Sequence, residues 1–124
     1  MSITLCHAFG IGSAVGSALL SGAAVVLPAV GGIRGCGVPA ERAAATLSVL
    51  ESEACTLLFA DTHTLKALPP PTDAGALRAL RGGVCKTGSG AAFLDEELEY
   101  AGVAMRTVGK PAGGHSHGHS HGGH

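Results

Sequence analysis

AFGIGSAVGSALLSGAAVVLPAVGGI, residues 8–33, is the stretch whose reading decides the fold. It holds no Asp, Glu, Lys or Arg, and every residue in it is apolar, small or a serine. A charge-free run of about 18 residues or more has the length of a membrane-spanning helix. Gly12 and Gly16 form a GxxxG pair, which lets helices approach closely in lipid, and Arg34 and Arg42 would anchor one flank. A signal peptide fits less well, because the start MSITLCH has no basic segment. The globular alternative explains more of the internal detail. Ser13, Ser17 and Ser21 recur every four residues, giving a helix over Ile11–Leu20 a small, weakly polar stripe. Gly22 stops that helix. Ala23–Leu27 then reads as a short apolar strand closed by Pro28, as a sheet covered on both faces requires. A single spanning helix must carry Gly22 and Pro28 within its length. The expectation is helix, glycine, strand, with a membrane span as the alternative.

Working outward, the 124 residues suffice for one domain. Residues 1–111 read as an α/β unit and residues 112–124 as a disordered tail of Gly, His and Ser. The chain has three Phe, one Tyr and no Trp against 20 Gly, so its core must rest on Leu, Val and close backbone packing. A net charge of −1, with no basic stripe, gives no footing for nucleic acid. Cys6, Cys36, Cys55 and Cys85 form neither a CxxC pair nor a dense framework. They read as small buried thiols, in keeping with a cytoplasmic or organellar interior and not a secreted protein.

Ser2–Leu5 alternates as a first strand, and Cys6–Gly10 turns at its end. Gly31–Gly37 is a glycine loop. Pro39 opens an amphipathic helix with Ala43, Leu47, Leu50 and Ala54 on one face and Arg42, Ser48 and Ser52 away from it. Cys55–Phe59 reads as a strand, and Asp61 or Thr62 caps a short helix that Pro69–Pro71 ends. Ala74–Leu80 reads as a helical turn and Gly83–Lys86 as a strand. Ala91, Leu94, Leu98 and Ala101 mark a further helix, and Val103–Val108 a last strand. Strands alternating with helices predict an α/β fold: a partial, mostly parallel sheet with flanking helices.

Three segments in this order carry a family likeness: CHAFGIGSAVGSALLSGAAVVLP, PAERAAATLSVLESEACTLLFADTHTLKAL and LRALRGGV. Together they resemble the middle of the adenylate-forming (AMP-binding) enzymes, and most of all the acyl-CoA synthetases of fatty acid metabolism. Arg106–Pro111 resembles the T-V-G-R/K-P segment of that family. The resemblance covers roughly Ile3 to Val84 and those last six residues. It implies a parent acid–thiol ligase reaction in two steps: ATP and magnesium adenylate a carboxylate, and the acyl group passes to a thiol such as CoA. By the same resemblance His7, with Phe9 and Gly10 in its turn, lines an acyl pocket. Gly82, Gly83, Lys86 and Gly88 lie near a nucleotide. Cys6 replaces the usual aromatic, and His63 stands where the family has Thr. The phosphate loop, the Tyr-Gly-x-Thr-Glu segment and the catalytic lysine are all missing from the sequence. Charge stabilisation at the transferring phosphorus needs lysine and metal. The expectation is a fragment with no ligase activity and no catalytic residues of its own, needing no cofactor when alone. Its partners would be the remainder of a synthetase or a second copy.

Two local signals remain. Lys86–Gly90 follows a strand and precedes a predicted helix, where backbone N–H groups can hold an anion; a plain connecting loop is the simpler reading. His115, His117, His119, His121 and His124 alternate along the tail. Such imidazoles can ligate Zn, Ni or Cu, either as a purification tag or as a natural metal-holding segment. A non-catalytic metal-binding or assembly module is therefore the second functional expectation, and a small single-span membrane protein the third.

Overall fold

The computed structural model describes residues 9–29, 38–87 and 98–108. The expected strand at residues 2–5, the glycine loop at 31–37, most of the helix expected from Ala91, and the histidine tail lie outside the described residues.

The charge-free stretch starts as helix and stops where glycine permits. Phe9–Gly16 is wound as a π-helix and passes into one α-helical turn, α1 (Ser17–Leu20). Gly22 has φ +69°, the left-handed conformation that costs glycine least. Its N–H donates to Leu19 O at 3.2 Å, and the Ala23 N–H donates to Ala18 O at 2.8 Å. These two bonds are the Schellman ending, which satisfies carbonyls the helix leaves open. Among the described residues no helix is long and apolar enough to cross a membrane. The strand expected at Ala23–Leu27 is a correction: these residues belong to no strand. Ala23, Ala24 and Leu27 are exposed, and two alanines have too little apolar area to draw the segment into a sheet.

Helix α2 (Pro39–Ser52) begins with Pro39 in its first turn and Val38 extended before it. Ala43, Thr46 and Leu50 are its buried stripe. Strand β1 (Leu57–Asp61) follows and runs into α3 (Thr62–Ala67), which ends just short of the triple proline. Strand β2 is Gly82–Lys86. The remaining strands are β3 (Glu99–Tyr100), β4 (Val103–Ala104) and β5 (Arg106–Val108). Strands β1, β2 and β5 form a parallel sheet in that order, and β3 and β4 an antiparallel pair. The expectation of a partial, mostly parallel sheet with helices is met.

Register places Leu58 opposite Gly83 and Ala60 opposite Cys85. Side chains alternate across a strand, so these four share one face and Leu57 and Phe59 the other. The first face is the core: Leu58, Ala60 and Cys85 join Leu50 of α2 and Leu65 of α3, with Tyr100 and Met105 closing one side. Gly83 is required there. A Cβ at this position would run into Leu58 O and lie 2.7 Å from Met105 Sδ. The second face lies beneath the N-terminal helix, where Phe9 meets Phe59 with ring centroids 6.1 Å apart.

Four further expectations are corrected. The strand read at Cys55–Phe59 begins two residues later, at Leu57. Ala74–Leu80 is a run of turns, bonded three residues apart at Ala76→Asp73, Arg78→Gly75 and Leu80→Leu77. Leu98 and Ala101 belong to a hairpin and not to a helix. Ala101 (φ +51°) and Gly102 (φ +75°) form its two-residue turn, the left-handed pair that matches strand twist. The last strand breaks at Met105, whose buried side chain leaves β4 and β5 in different sheets.

Candidate functional site

The second sheet face is only partly covered. Between α1 and β1 lies a cleft of about 440 Å³, within the size range of small-molecule sites. Ala14, Ser17, Ala18 and Ser21 form its roof, Ala23–Val26 one wall, and Cys55, Thr56, Leu57 and Phe59 its floor, with Arg81 at the rim. The cause is side-chain size. The helix presents alanine and serine to the sheet, so it approaches without filling the space above Leu57, which stays 42% exposed. The serines are turned back on the helix: Ser17 Oγ donates to Ser13 O, and Ser21 Oγ donates to Ser17 O at 2.7 Å. Their donors are thereby spent within the helix, so the roof presents apolar surface and hydroxyl lone pairs.

Cys55 lies at the floor with its thiol directed to Val49 O at 3.6 Å. Burial pushes its pKa above the ordinary thiol value, with nearby Glu53 adding a smaller upward push. It is therefore a neutral lining group at physiological pH and a poor nucleophile. Arg81 is held in place by its backbone, whose N–H donates to Thr56 O at 2.9 Å. Its guanidinium has no ion-pair or side-chain hydrogen-bond partner among the described residues.

A second polar group lies at the C-terminal end of β1. Asp61 Oδ1 accepts from Thr64 N–H at 2.7 Å and so caps α3, which settles the choice between Asp61 and Thr62 that the sequence left open. Its Oδ2 takes Arg42 Nη1 at 3.3 Å. Arg42 was expected on the solvated side of α2; it instead folds over the sheet end and is largely buried. Thr62 Oγ1 donates to Lys86 O at 3.1 Å, tying α3 to β2. Arg42 Nε and Thr64 Oγ1 are buried without a hydrogen-bond partner among the described residues. The Arg42–Asp61 pair joins α2 to β1 and the Thr62–Lys86 bond joins α3 to β2, which makes the group a structural clasp.

Comparison with protein-family models, with curated proteins and with solved structures finds no match in any of the three. The geometry of the cleft is thus the chief guide to function.

The residues singled out in the sequence are not brought together. Phe9 and Gly10 are buried at the start of the π-helix, and Phe9 supports Phe59 from outside the cleft lining. Gly82 and Gly83 open β2 while the half-buried Lys86 ends it, about 13 Å away at the strand rise. His7, Gly88, His115, His117, His119, His121 and His124 lie outside the described residues. Among the described residues no three His, Cys, Asp or Glu side chains cluster to hold a metal. Sequence reasoning missed Thr56, Leu57, Phe59 and Arg81 as neighbours of the N-terminal helix. The small stripe was a visible sign of close approach, but nothing in the sequence located the surface approached.

Proposed function

We propose that this chain is an α/β unit related to the acyl-CoA synthetases that binds an apolar ligand in the α1–β1 cleft without activating it. The observation that carries this reading is the cleft itself: an open space of ligand size, lined by somewhat more apolar than polar surface, between a small-residue helix and the Leu57–Phe59 face. The segment order supports the kinship in part: a helix ended by glycine, an amphipathic helix opened by proline and two parallel strands follow one another, although the strand the resemblance expects between the two helices is absent among the described residues. On this reading the parent reaction used ATP, magnesium and CoA to turn a carboxylate into a thioester. The sequence carries no phosphate loop and no Tyr-Gly-x-Thr-Glu segment, so the activating step is lost and binding remains. Partners are the remainder of a synthetase or a second copy, in the cytoplasm or an organelle interior.

Two measurements test it. Titration of the full chain with octanol should shift backbone NMR resonances of Ala18, Thr56 and Leu57. Pyrophosphate exchange with ATP and a panel of carboxylates should give no turnover. Shifts absent from the cleft would end the binding reading, and robust exchange would end the claim of inactivity.

A second reading rests on the alternating histidines of the tail, which suit Zn, Ni or Cu. Metal titration of the chain and of a version cut after Pro111 tests it: stoichiometric binding should vanish with the tail.

A further inference from the structure

Among the described residues the cleft has one charged side chain in its lining, and that charge is positive. Its roof is alanine and serine, one wall is alanine and valine, and its floor is Cys55, Thr56, Leu57 and Phe59; the hydroxyl donors of Ser17 and Ser21 are already used. Arg81 stands at the rim, exposed, fixed through its backbone to Thr56 and without a side-chain partner among the described residues.

We infer that Arg81 is a selectivity residue: it makes the cleft prefer an apolar molecule with one anionic head over a neutral molecule of the same shape. The inference rests on the cleft being a ligand site. The physical argument is one of placement. An apolar chain lowers its free energy by covering Leu57 and the alanine roof. Its head then reaches solvent at the rim, where a guanidinium offers several N–H donors in a planar fork. A neutral head finds there no donor that water does not match, whereas an anion gains charge-assisted hydrogen bonds. A cationic head meets a like charge, and no Asp or Glu stands in the lining among the described residues. Because the rim is open to water, the gain is bounded by what exposed ion pairs achieve, roughly fivefold in affinity, and it weakens as salt rises.

The test uses the full chain, with octanoate and 1-octanol as probes that share a tail. Resonances of Ala18, Thr56 and Leu57 report the site, and titration gives each affinity. Octanoate should bind roughly fivefold more tightly than octanol. Arg81→Gln should abolish that ratio, and Arg81→Lys should keep most of it. Added salt should weaken octanoate alone. The side chain at 81 is exposed, so these variants keep the fold. If both probes shift the cleft resonances but Arg81→Gln leaves their ratio intact, the role of Arg81 is wrong while the cleft stands. If neither probe shifts them, or if Ala18→Leu, which fills the roof, leaves both affinities unchanged, the cleft reading falls and this inference with it.

Discussion

Asp61 shows how much one side chain can hold. One carboxylate oxygen caps α3 through Thr64 N–H and the other pairs with Arg42 of α2. Asp61→Ala should cost about 2 kcal/mol, because it removes a cap and strands a mostly buried guanidinium. Asp61→Asn keeps the cap and loses the charge pair, so urea midpoints should fall in the order wild type, Asn, Ala. A midpoint unchanged in Asp61→Ala would show that neither contact stabilises the fold. The cap was legible because Ncap and N3 are neighbours in sequence. The ion pair was not, since Arg42 and Asp61 lie 19 residues apart and meet only when α2 packs on the sheet. Gly83 gives the sharper case. Its place against Met105 Sδ leaves no room for a methyl group, so Gly83→Ala should lose about 2–3 kcal/mol by overpacking. Full retention of the thermal midpoint would refute that packing.

Helices α1 and α2 and strand β3 are followed by left-handed residues, and two of those residues carry a Cβ. Gly22 ends α1 without strain. Ala54, with φ +47°, does the same work after α2, where Cys55 N–H donates to Leu50 O at 3.3 Å. An alanine pays about 1 kcal/mol for that conformation. Ala54→Gly should therefore stabilise the protein by about 1 kcal/mol, against the usual sign of a glycine substitution. Ala101→Asn should act in the same direction at the β3–β4 turn, since asparagine is favoured where both central residues are left-handed. Paired urea melts decide both, and a lower midpoint in either variant would show that the native backbone there is not left-handed. The same turn explains why a helix was expected around Leu98 and Ala101. Apolar residues at helical spacing gave the stronger local pattern, and the strand pairs Glu99–Ala104 and Tyr100–Val103 offered too few alternations to compete.

At the scale of the whole molecule, the buried ionisable groups bias stability with pH. Burial raises the pKa of Cys85 and of Cys55, and that of Tyr100 too, where Glu51 adds to the effect. Each group holds its proton more tightly in the folded chain than in the unfolded one. Their contribution is full below the ordinary thiol range. It is lost as pH rises, because the unfolded chain gives up protons that the folded chain still holds. The urea midpoint should fall between about pH 8 and about pH 10.5. The Tyr100 hydroxyl, which donates to Pro69 O at 2.7 Å, is a second reason, since its phenolate cannot donate. A midpoint that is flat or rising over that interval would contradict the burial of these groups.

The amino-acid order alone determined where α1 stops and where α2 and α3 start. Proline at 39, aspartate at 61 and glycine at 22 act within one turn of the backbone they shape, and no distant partner is needed. It also pointed to a small, mostly parallel sheet with helices beside it. The tertiary structure decided what those elements face. Whether Ala23–Leu27 joins the sheet, whether Arg42 meets water or Asp61, and which surface lies beneath the small-residue roof depend on contacts between segments far apart in the chain. Local propensity is silent about such contacts, because their energy appears only once two faces meet and water leaves between them.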